Sequence, residues 1–197
     1  YMENHSMPQF PESYWISSTE IPVYPKLNED SEAEVVIAGG GITGLTAAYL
    51  LAKQGMDVTL LEAGRILTGT TGHTTAKVTA QHGLIYDELI RNFGVEKASL
   101  YYQANADALA FIRQLVKTEQ IDCHFTDEDA YVYTNSSEQL QSLLDEYEAY
   151  QQVGAENSAY LEKIDLPVEH KAAIVLRQQA KFHPLEYMKH LAVSFTN

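Results

Sequence analysis

Cysteine is nearly absent from this 197-residue sequence, in which Cys123 is the only one. A single thiol excludes an internal disulfide and any cysteine cluster for zinc or an iron–sulfur centre, and it favours a cytoplasmic location. Long apolar runs are missing too, since none approaches the ~18 residues of a membrane-spanning helix. Residues 1–16 lack the basic segment and apolar core of a secretory signal. We therefore expect a cytoplasmic protein with no membrane partner.

Basic residues are scarce, with 13 Lys and Arg against 27 Asp and Glu and a formal net charge of -14. Phosphate backbones and anionic membrane surfaces repel such a chain, so we expect no nucleic-acid partner. Hydrophobic residues make up 45% and charged residues 20%, which is typical of a globular protein. At ~150 residues per domain, the length allows one or two domains.

Proline is concentrated near the start, where residues 8–33 contain four of the six prolines and little periodicity. This pattern predicts an extended, irregular arm over residues 1–33. Tyr14 and Trp15 are aromatic residues in an otherwise polar stretch. They favour an arm that packs on the protein, the alternative being a solvated tail.

Three short segments in the first third of the chain predict a complete βαβ unit. Glu34–Ala38 is apolar and β-branched, as in a buried parallel strand. Leu45–Gln54 carries apolar residues at helix spacing and is followed by Gly55. Asp57–Glu62 then predicts a second strand, which a right-handed crossover would place beside the first.

The link between the first strand and the helix matches the dinucleotide-binding pattern, with Gly39, Gly41 and Gly44 at its three glycine positions. Gly39 permits the tight turn, Gly41 lets a pyrophosphate approach the backbone, and Gly44 lets the helix pack close to the strand. Glu62, eighteen residues after Gly44, is placed to bind both ribose hydroxyls. Its charge would repel a 2′-phosphate and so disfavours NADP. The alternative is a glycine-rich turn without a ligand.

The rest of the chain predicts a hydroxyl-rich loop over residues 67–80, entering a helix near Thr75, and then helices with short strands. Two helices follow at Asp87–Phe93 and Val95–Glu119, and then a hairpin of Asp122–Thr126 and Ala130–Thr134 around an acidic turn. The next helix is capped by Ser136 or Ser137, with Ser136 and Gln139 fitting a capping box, and is ended by Gly154. A strand at Ala172–Leu176 precedes the last helix, Leu185–Phe195, which Pro184 opens. One face of the longest helix is formed by Leu100, Ala104, Ala108, Phe111 and Leu115.

Val35–Arg65, followed by the Gly/Thr-rich stretch Gly69–Lys77, resembles the D-amino-acid oxidase and glycine oxidase group of FAD-dependent oxidoreductases. The sequence Thr-Gly-His-Thr-Thr-Ala-Lys-Val-Thr, with the Tyr-Trp arm before the first strand, resembles that of bacterial members that carry a C-terminal Rieske domain. The resemblance covers roughly residues 8–195. It implies an α/β fold with an FAD-linked Rossmann domain over residues 34–120.

The same resemblance implies part of an inserted antiparallel substrate domain over residues 121–183 and a return to the FAD domain over 184–197. It assigns no catalytic residue and no metal ligand. Glycines and Glu62 would bind the ADP half of FAD, Arg65 would cover the adenosine, and the threonine loop would run under the diphosphate towards the flavin. The implied FAD contacts are Gly39, Gly41, Ile42, Thr43, Gly44, Glu62, Ala63, Arg65, Thr70, Thr71, Thr74, Thr75, Ala76 and Lys77.

The implied activity is oxidation of a small amine or amino-acid-like substrate by hydride transfer to flavin. Electrons would then pass to oxygen or to a 2Fe-2S Rieske centre in a domain that this sequence lacks. Family members are considerably longer, so we expect an N-terminal portion that is inactive alone, and a homodimer could cover its missing surface. The alternative is a structural or nucleotide-holding module without turnover.

Three further side chains have two interpretations each. His73 lies in the flavin-facing loop and is either a cofactor contact or a structural histidine. Lys77 could stabilise negative charge on a reduced flavin ring, the alternative again being a structural role. Cys123, beside His124, is expected to be a buried structural cysteine rather than an activated thiol.

Overall fold

The computed structural model describes residues 12–165 and 167–196. Residues 1–11 of the predicted arm, with two of its prolines, and the final Asn197 lie outside this range. In chain order the helices and strands are α1 (Tyr14–Ser18), β1 (Val35–Ala38), α2 (Ile42–Lys53), β2 (Val58–Leu61), β3 (Lys77–Val78), α3 (Tyr86–Phe93), α4 (Val95–Thr118), β4 (Thr126–Thr134), α5 (Leu140–Val153), β5 (Ser158–Leu161), β6 (Ala172–Lys181) and α6 (Pro184–Thr196).

The described residues form two compact units. The first contains residues 12–76, 121–123 and 183–196, and the second contains residues 77–120, 124–165 and 167–182. Helices α3 and α4, which the sequence places in the 34–120 segment, belong to the second unit. Within the described ranges every helix is too short or too polar to span a membrane.

The βαβ prediction is confirmed in the first unit. β1 and β2 pair in parallel, with Val35 opposite Val58 and Ala38 opposite Leu61. Helix α2 begins at Ile42, one turn before the predicted start at Leu45, because Gly41 already serves as its N-cap residue.

Helix α6 also confirms its prediction, since it begins with Pro184. Proline suits the first helical position because its missing N–H would have no intrahelical partner there. Leu185, Met188 and Leu191 are buried in this helix, which contacts α2. The two helices thus give the first unit its apolar interior.

An antiparallel sheet organises the second unit around β6. Strand β4 runs along one edge of β6, pairing from Thr126 opposite Lys181 to Thr134 opposite Ala172. The other edge is shared by β5 and by the short β3. Residues 172–176 of β6 are fully buried, so this strand is the centre of the unit.

The predicted hairpin at 122–134 is wrong, because residues 126–134 form one strand, whose register against β6 shifts between Glu128 and Ala130. Each residue of the acidic run faces a cation. Asp127 lies 2.9 Å from Arg113, Glu128 lies 2.7 Å from Lys181, and Asp129 lies 4.0 Å from Arg177. Exposed pairs of this kind are individually weak, but together they relieve the repulsion among three adjacent acids. The run can therefore stay extended instead of turning.

The structure differs from the sequence-based expectations at four other places. No helix starts near Thr75; a 3₁₀ turn at Thr70–His73 leads to strand β3 instead. Ser136 caps the 3₁₀ turn Ser137–Gln139 that leads into α5, as predicted, but its hydroxyl accepts from the amide of Glu138 and not from that of Gln139 as a capping box requires. Strand β5 was not predicted, and β6 extends five residues beyond the predicted end at Leu176.

The predicted apolar face of α4 faces the interior only at Leu115, which is buried. Leu100 is 65% exposed and Phe111 is 38% exposed, whereas Ala98 and Leu109, which lie outside the predicted face, are buried. The helix carries apolar residues on two sides, and periodicity alone does not say which side meets the sheet.

A buried carboxylate caps the start of α3. Glu146, on α5, is 0% exposed and accepts backbone N–H bonds from Ile85 (3.1 Å), Tyr86 (3.0 Å) and Asp87 (2.9 Å). Burial raises the pKa of Glu146, and the three amide bonds partly oppose that shift. The side chain therefore satisfies helix-start donors that would otherwise be buried without partners.

Replacing Glu146 with alanine should destabilise the protein. Three amides lose their acceptor, and we expect the free energy of unfolding to fall by about 2–4 kcal/mol. Urea unfolding of Glu146→Ala measures the change. Glu148→Ala is the matched control, because Glu148 is an exposed residue on the same helix. Equal stability of the two variants would contradict the capping role.

Candidate cofactor-binding cleft

A cleft of about 730 Å³ opens in the first unit where β1 ends. The glycine turn and the first residues of α2 form one wall. The loop that follows β2, over residues 62–74, forms the other. In parallel βαβ units, ligands bind at this carboxyl end of the strands, so its position favours a binding site.

The glycines of the turn are required by close contacts. Gly39 has a φ of +105°, which disfavours any residue with a side chain. A Cβ at Gly44 would lie 2.0 Å from the carbonyl oxygen of Gly39, and one at Gly40 would lie 2.6 Å from Ile66. At Gly41 the nearest atom is the Thr71 hydroxyl, at 3.3 Å. The turn therefore keeps the start of α2 against the end of β1.

The start of α2 offers backbone donors to the cleft. The amide of Leu45 makes the first intrahelical bond, to Gly41 at 3.0 Å. The amide of Ile42 donates to the Thr71 hydroxyl at 3.1 Å. Thr43 and Gly44 line the cleft and lie in the first turn, before the helical ladder reaches their amides. Such amides, with the positive end of the helix dipole, suit a diphosphate.

Glu62 is held at a fixed place on the rim. Its two carboxylate oxygens accept the amides of Gly40 at 2.8 Å and Gly64 at 2.9 Å. These bonds lower the pKa of Glu62, so the exposed carboxylate is ionised at neutral pH. Each oxygen keeps acceptor capacity beyond these amides, which a pair of ribose hydroxyls can use.

The opposite wall is made by the Gly/Thr loop. Thr71 is buried and bonds to α2 as described, while the Arg65 guanidinium donates to the carbonyl of Ile21 at 2.9 Å. His73 is exposed, with its Nδ1 2.9 Å from the Gly69 carbonyl. Cys123 is fully buried, as expected.

The structure brings most of the predicted cofactor residues to this cleft. Those that line it are Gly39, Gly41, Ile42, Thr43, Gly44, Glu62, Arg65, Thr70, Thr71 and Thr74. Those that do not line it are Ala63, Thr75, Ala76 and Lys77; Lys77 belongs to the second unit.

Sequence reasoning missed several lining residues. These are Ala38, Gly40, Gly64, Leu67, Thr68 and Gly69. The glycines carried a usable signal, since they flank the motif residues and mark turns. Leu67 and Ala38 carried none, because an apolar residue at a strand end or in a loop looks like ordinary packing.

The donor set fits the ADP half of a dinucleotide cofactor such as FAD. Gly41 lines the cleft without a side chain, the start of α2 supplies amides, and a fixed carboxylate follows the carboxyl end of β2.

Comparison with known proteins agrees with this fit. Residues 34–197 match the family model described as FAD dependent oxidoreductase. Glycine oxidase from Geobacillus kaustophilus superposes with a TM-score of 0.65 at 19% identity, covering 83% of this chain and 44% of that one. L-proline dehydrogenase from P. horikoshii gives 0.62 at 23% identity, covering 84% and 42%. These likenesses establish the FAD-dependent oxidase fold.

Two curated proteins are similar in sequence. "Putative Rieske 2Fe-2S iron-sulfur protein YhfW" of Bacillus subtilis is 49% identical over 95% of this chain and 36% of its own length. Gamma-glutamylputrescine oxidoreductase of Escherichia coli is 30% identical over 72% of this chain and 33% of its own length. The chain thus spans about a third of these relatives. It belongs to the D-amino-acid-oxidase-type family of FAD-dependent oxidoreductases, whose cofactor is FAD.

The role of Glu62 can be tested with two ligands. Glu62→Ala should weaken ADP binding about tenfold or more, because charge-assisted bonds to the ribose are lost, and should leave riboflavin binding unchanged. Since amide bonds lower the pKa of Glu62 below its ordinary value, the Glu62 contribution should persist at mildly acid pH. It should be lost only as the pH falls through that lowered value.

Calorimetric titration of both ligands makes the measurement. Glu34→Ala is the matched control, because the exposed Glu34 carboxylate also accepts a backbone amide, that of Asp57 at 2.8 Å. Equal weakening of ADP and riboflavin by Glu62→Ala would mean that Glu62 supports only the fold.

Proposed function

We propose that the cleft binds the ADP half of FAD and that a longer protein containing this chain oxidises a small amine or amino-acid-like substrate. The observation that carries the proposal is the Glu62 carboxylate, fixed by the Gly40 amide beside the glycine turn. A carboxylate and a helix N-terminus on the walls of one cleft match the ribose and diphosphate of one ligand.

Each group has a distinct part in binding. The amides of Thr43 and Gly44 would receive the diphosphate, and Glu62 would accept the ribose hydroxyls and exclude a 2′-phosphate. Thr70, Thr71 and Thr74 would extend the site along the loop. When bound, FAD supplies the two-electron redox chemistry, and the protein's part is to hold and orient it.

The substrate class is supported by the names of relatives. The E. coli relative is named for gamma-glutamylputrescine, and solved structures of similar fold include glycine oxidase and L-proline dehydrogenase. All three names contain an amine or an amino acid. The name of the B. subtilis relative supports onward transfer of electrons to a Rieske 2Fe-2S centre outside this chain. The assignment of residues 34–120 and 184–197 to a cofactor domain, and of 121–183 to a substrate domain, is part of this proposal.

Gly41→Asp tests the binding proposal. The side chain would add bulk and negative charge where the diphosphate approaches, so the affinity for ADP or FAD should fall more than tenfold, or by over ~1.4 kcal/mol. Calorimetric titration of the two proteins measures this. Gln54→Asp is the control, because it adds the same carboxylate at an exposed residue outside the cleft. Unchanged affinity in Gly41→Asp would rule out a diphosphate at this turn.

A second candidate is that the 197-residue chain by itself holds a nucleotide without turnover. One face of the β1–β2 sheet supports it, since Val36 is 61% exposed and Leu61 is 37% exposed. Parallel sheets are normally covered on both faces. A site built on a half-covered sheet would leave the flavin in water, where the protein could neither orient the substrate against the flavin nor tune the reactivity of the ring.

We therefore expect the purified chain to bind FAD weakly and to release no peroxide across a panel of amines and amino acids with added FAD. The E. coli relative, assayed in parallel on its named substrate with a general electron acceptor, confirms that the assay works. Turnover by the 197-residue chain at a comparable rate would contradict the expectation and show that these residues hold a complete site.

A further inference from the structure

The N-terminal arm contacts the Gly/Thr loop from outside the cleft. The indole N–H of Trp15 donates to the Thr74 carbonyl at 2.8 Å. Ile16 packs so closely on Gly72 that a Cβ there would lie 2.8 Å from the Ile16 side chain. These contacts fall on the segment whose inner side lines the cleft.

A further contact ties the arm to the start of the same loop. The Arg65 guanidinium donates to the carbonyl of Ile21, a residue that is only 2% exposed. Arg65 lines the cleft as well. The arm thus holds the loop at both its ends, through Arg65 and through Thr74.

The arm is itself anchored to the start of α6. The Glu186 amide donates to Nδ1 of His183 at 3.2 Å, which assigns the ring hydrogen to Nε2. That Nε2 lies 2.9 Å from the Ser18 hydroxyl. The Trp15 ring meets the His183 ring edge-on, with centroids 4.9 Å apart. The loop is therefore connected through the arm to the start of α6, a helix whose residues Leu185, Met188 and Leu191 are buried.

Regular structure gives the loop little support of its own. Residues 62–76 contain only the 3₁₀ turn at Thr70–His73, and Leu67 and Ala76 both have a φ of 64°. Ordering such a loop on ligand binding would cost conformational entropy and lower the affinity. Contacts that order it beforehand remove this cost.

We propose that the arm is a positioning element for the cleft, with Trp15 as its main positioning residue. It holds residues 65–74 in the shape that receives an ADP-containing cofactor. The ligand named here rests on the proposed function, whereas the ordering of the loop does not.

Trp15→Phe tests this inference, because it keeps an aromatic ring at this position and removes the indole N–H together with the five-membered part of the ring. In the ligand-free protein, amide hydrogen exchange should speed up within residues 67–76 and stay unchanged in β4 and β6. The affinity for ADP should fall about threefold to tenfold, the usual effect of one lost hydrogen bond. Tyr14→Phe is the matched control, since Tyr14 is the neighbouring aromatic residue and is 68% exposed.

Two results would overturn the inference. Unchanged exchange in residues 67–76 of Trp15→Phe would show that the arm does not order the loop. Faster exchange throughout both units would show that Trp15 merely stabilises the fold. If the wild type binds no ADP, the proposed function fails, while the exchange comparison still decides whether the arm orders the loop.

Discussion

The architecture of the first unit depends on one close approach, between the first turn of α2 and the end of β1. Gly44 sits so near the Gly39 carbonyl that any side chain would collide with it. This contact brings the helix N-terminus, with its positive dipole end, to the edge where β1 and β2 end. The cleft, its amide donors and the position of Glu62 all follow from that approach.

The groups assigned to the cofactor also hold the protein together. Glu62 fixes the amides of Gly40 and Gly64, Thr71 receives the amide of Ile42, and Arg65 binds the arm. The cleft is thus built in advance, so a ligand would meet oriented groups instead of paying to order them. Because the same residues support the fold and line the cleft, a substitution here can weaken ligand binding through either role. Measuring two ligands that use different groups separates the two effects.

Much of the first unit was predictable because its determinants are local. The glycine spacing, the apolar strands and Pro184 act within a few residues of where they stand. The second unit depends on partners distant in sequence. The acidic strand stays extended because cations on α4 and β6 face it. The inner side of α4 is set by its packing against α3 and α5, and at Leu109 against Val78 and Ala180. A local sequence pattern does not predict partners that lie so far away along the chain.

The candidate site likewise has a part set by local sequence and a part set by residues distant in sequence. The motif identified Gly39, Gly41, Gly44 and Glu62, because dinucleotide binding requires these residue types at that spacing. The support of the opposite wall was not predictable, since Trp15 meets Thr74 across 59 residues. The sequence indicated that the arm packs on the protein, but only the structure shows that it packs against the loop that lines the cleft.

Backbone amide spectra of the isotope-labelled chain, recorded as ADP is added, test the central claim most directly. The account predicts that the largest shifts fall on Gly41, Thr43 and Gly44 and on the amides bound to Glu62, with little change in β4 and β6. Shifts confined to the second unit, or none at the glycine turn at saturating ADP, would contradict it.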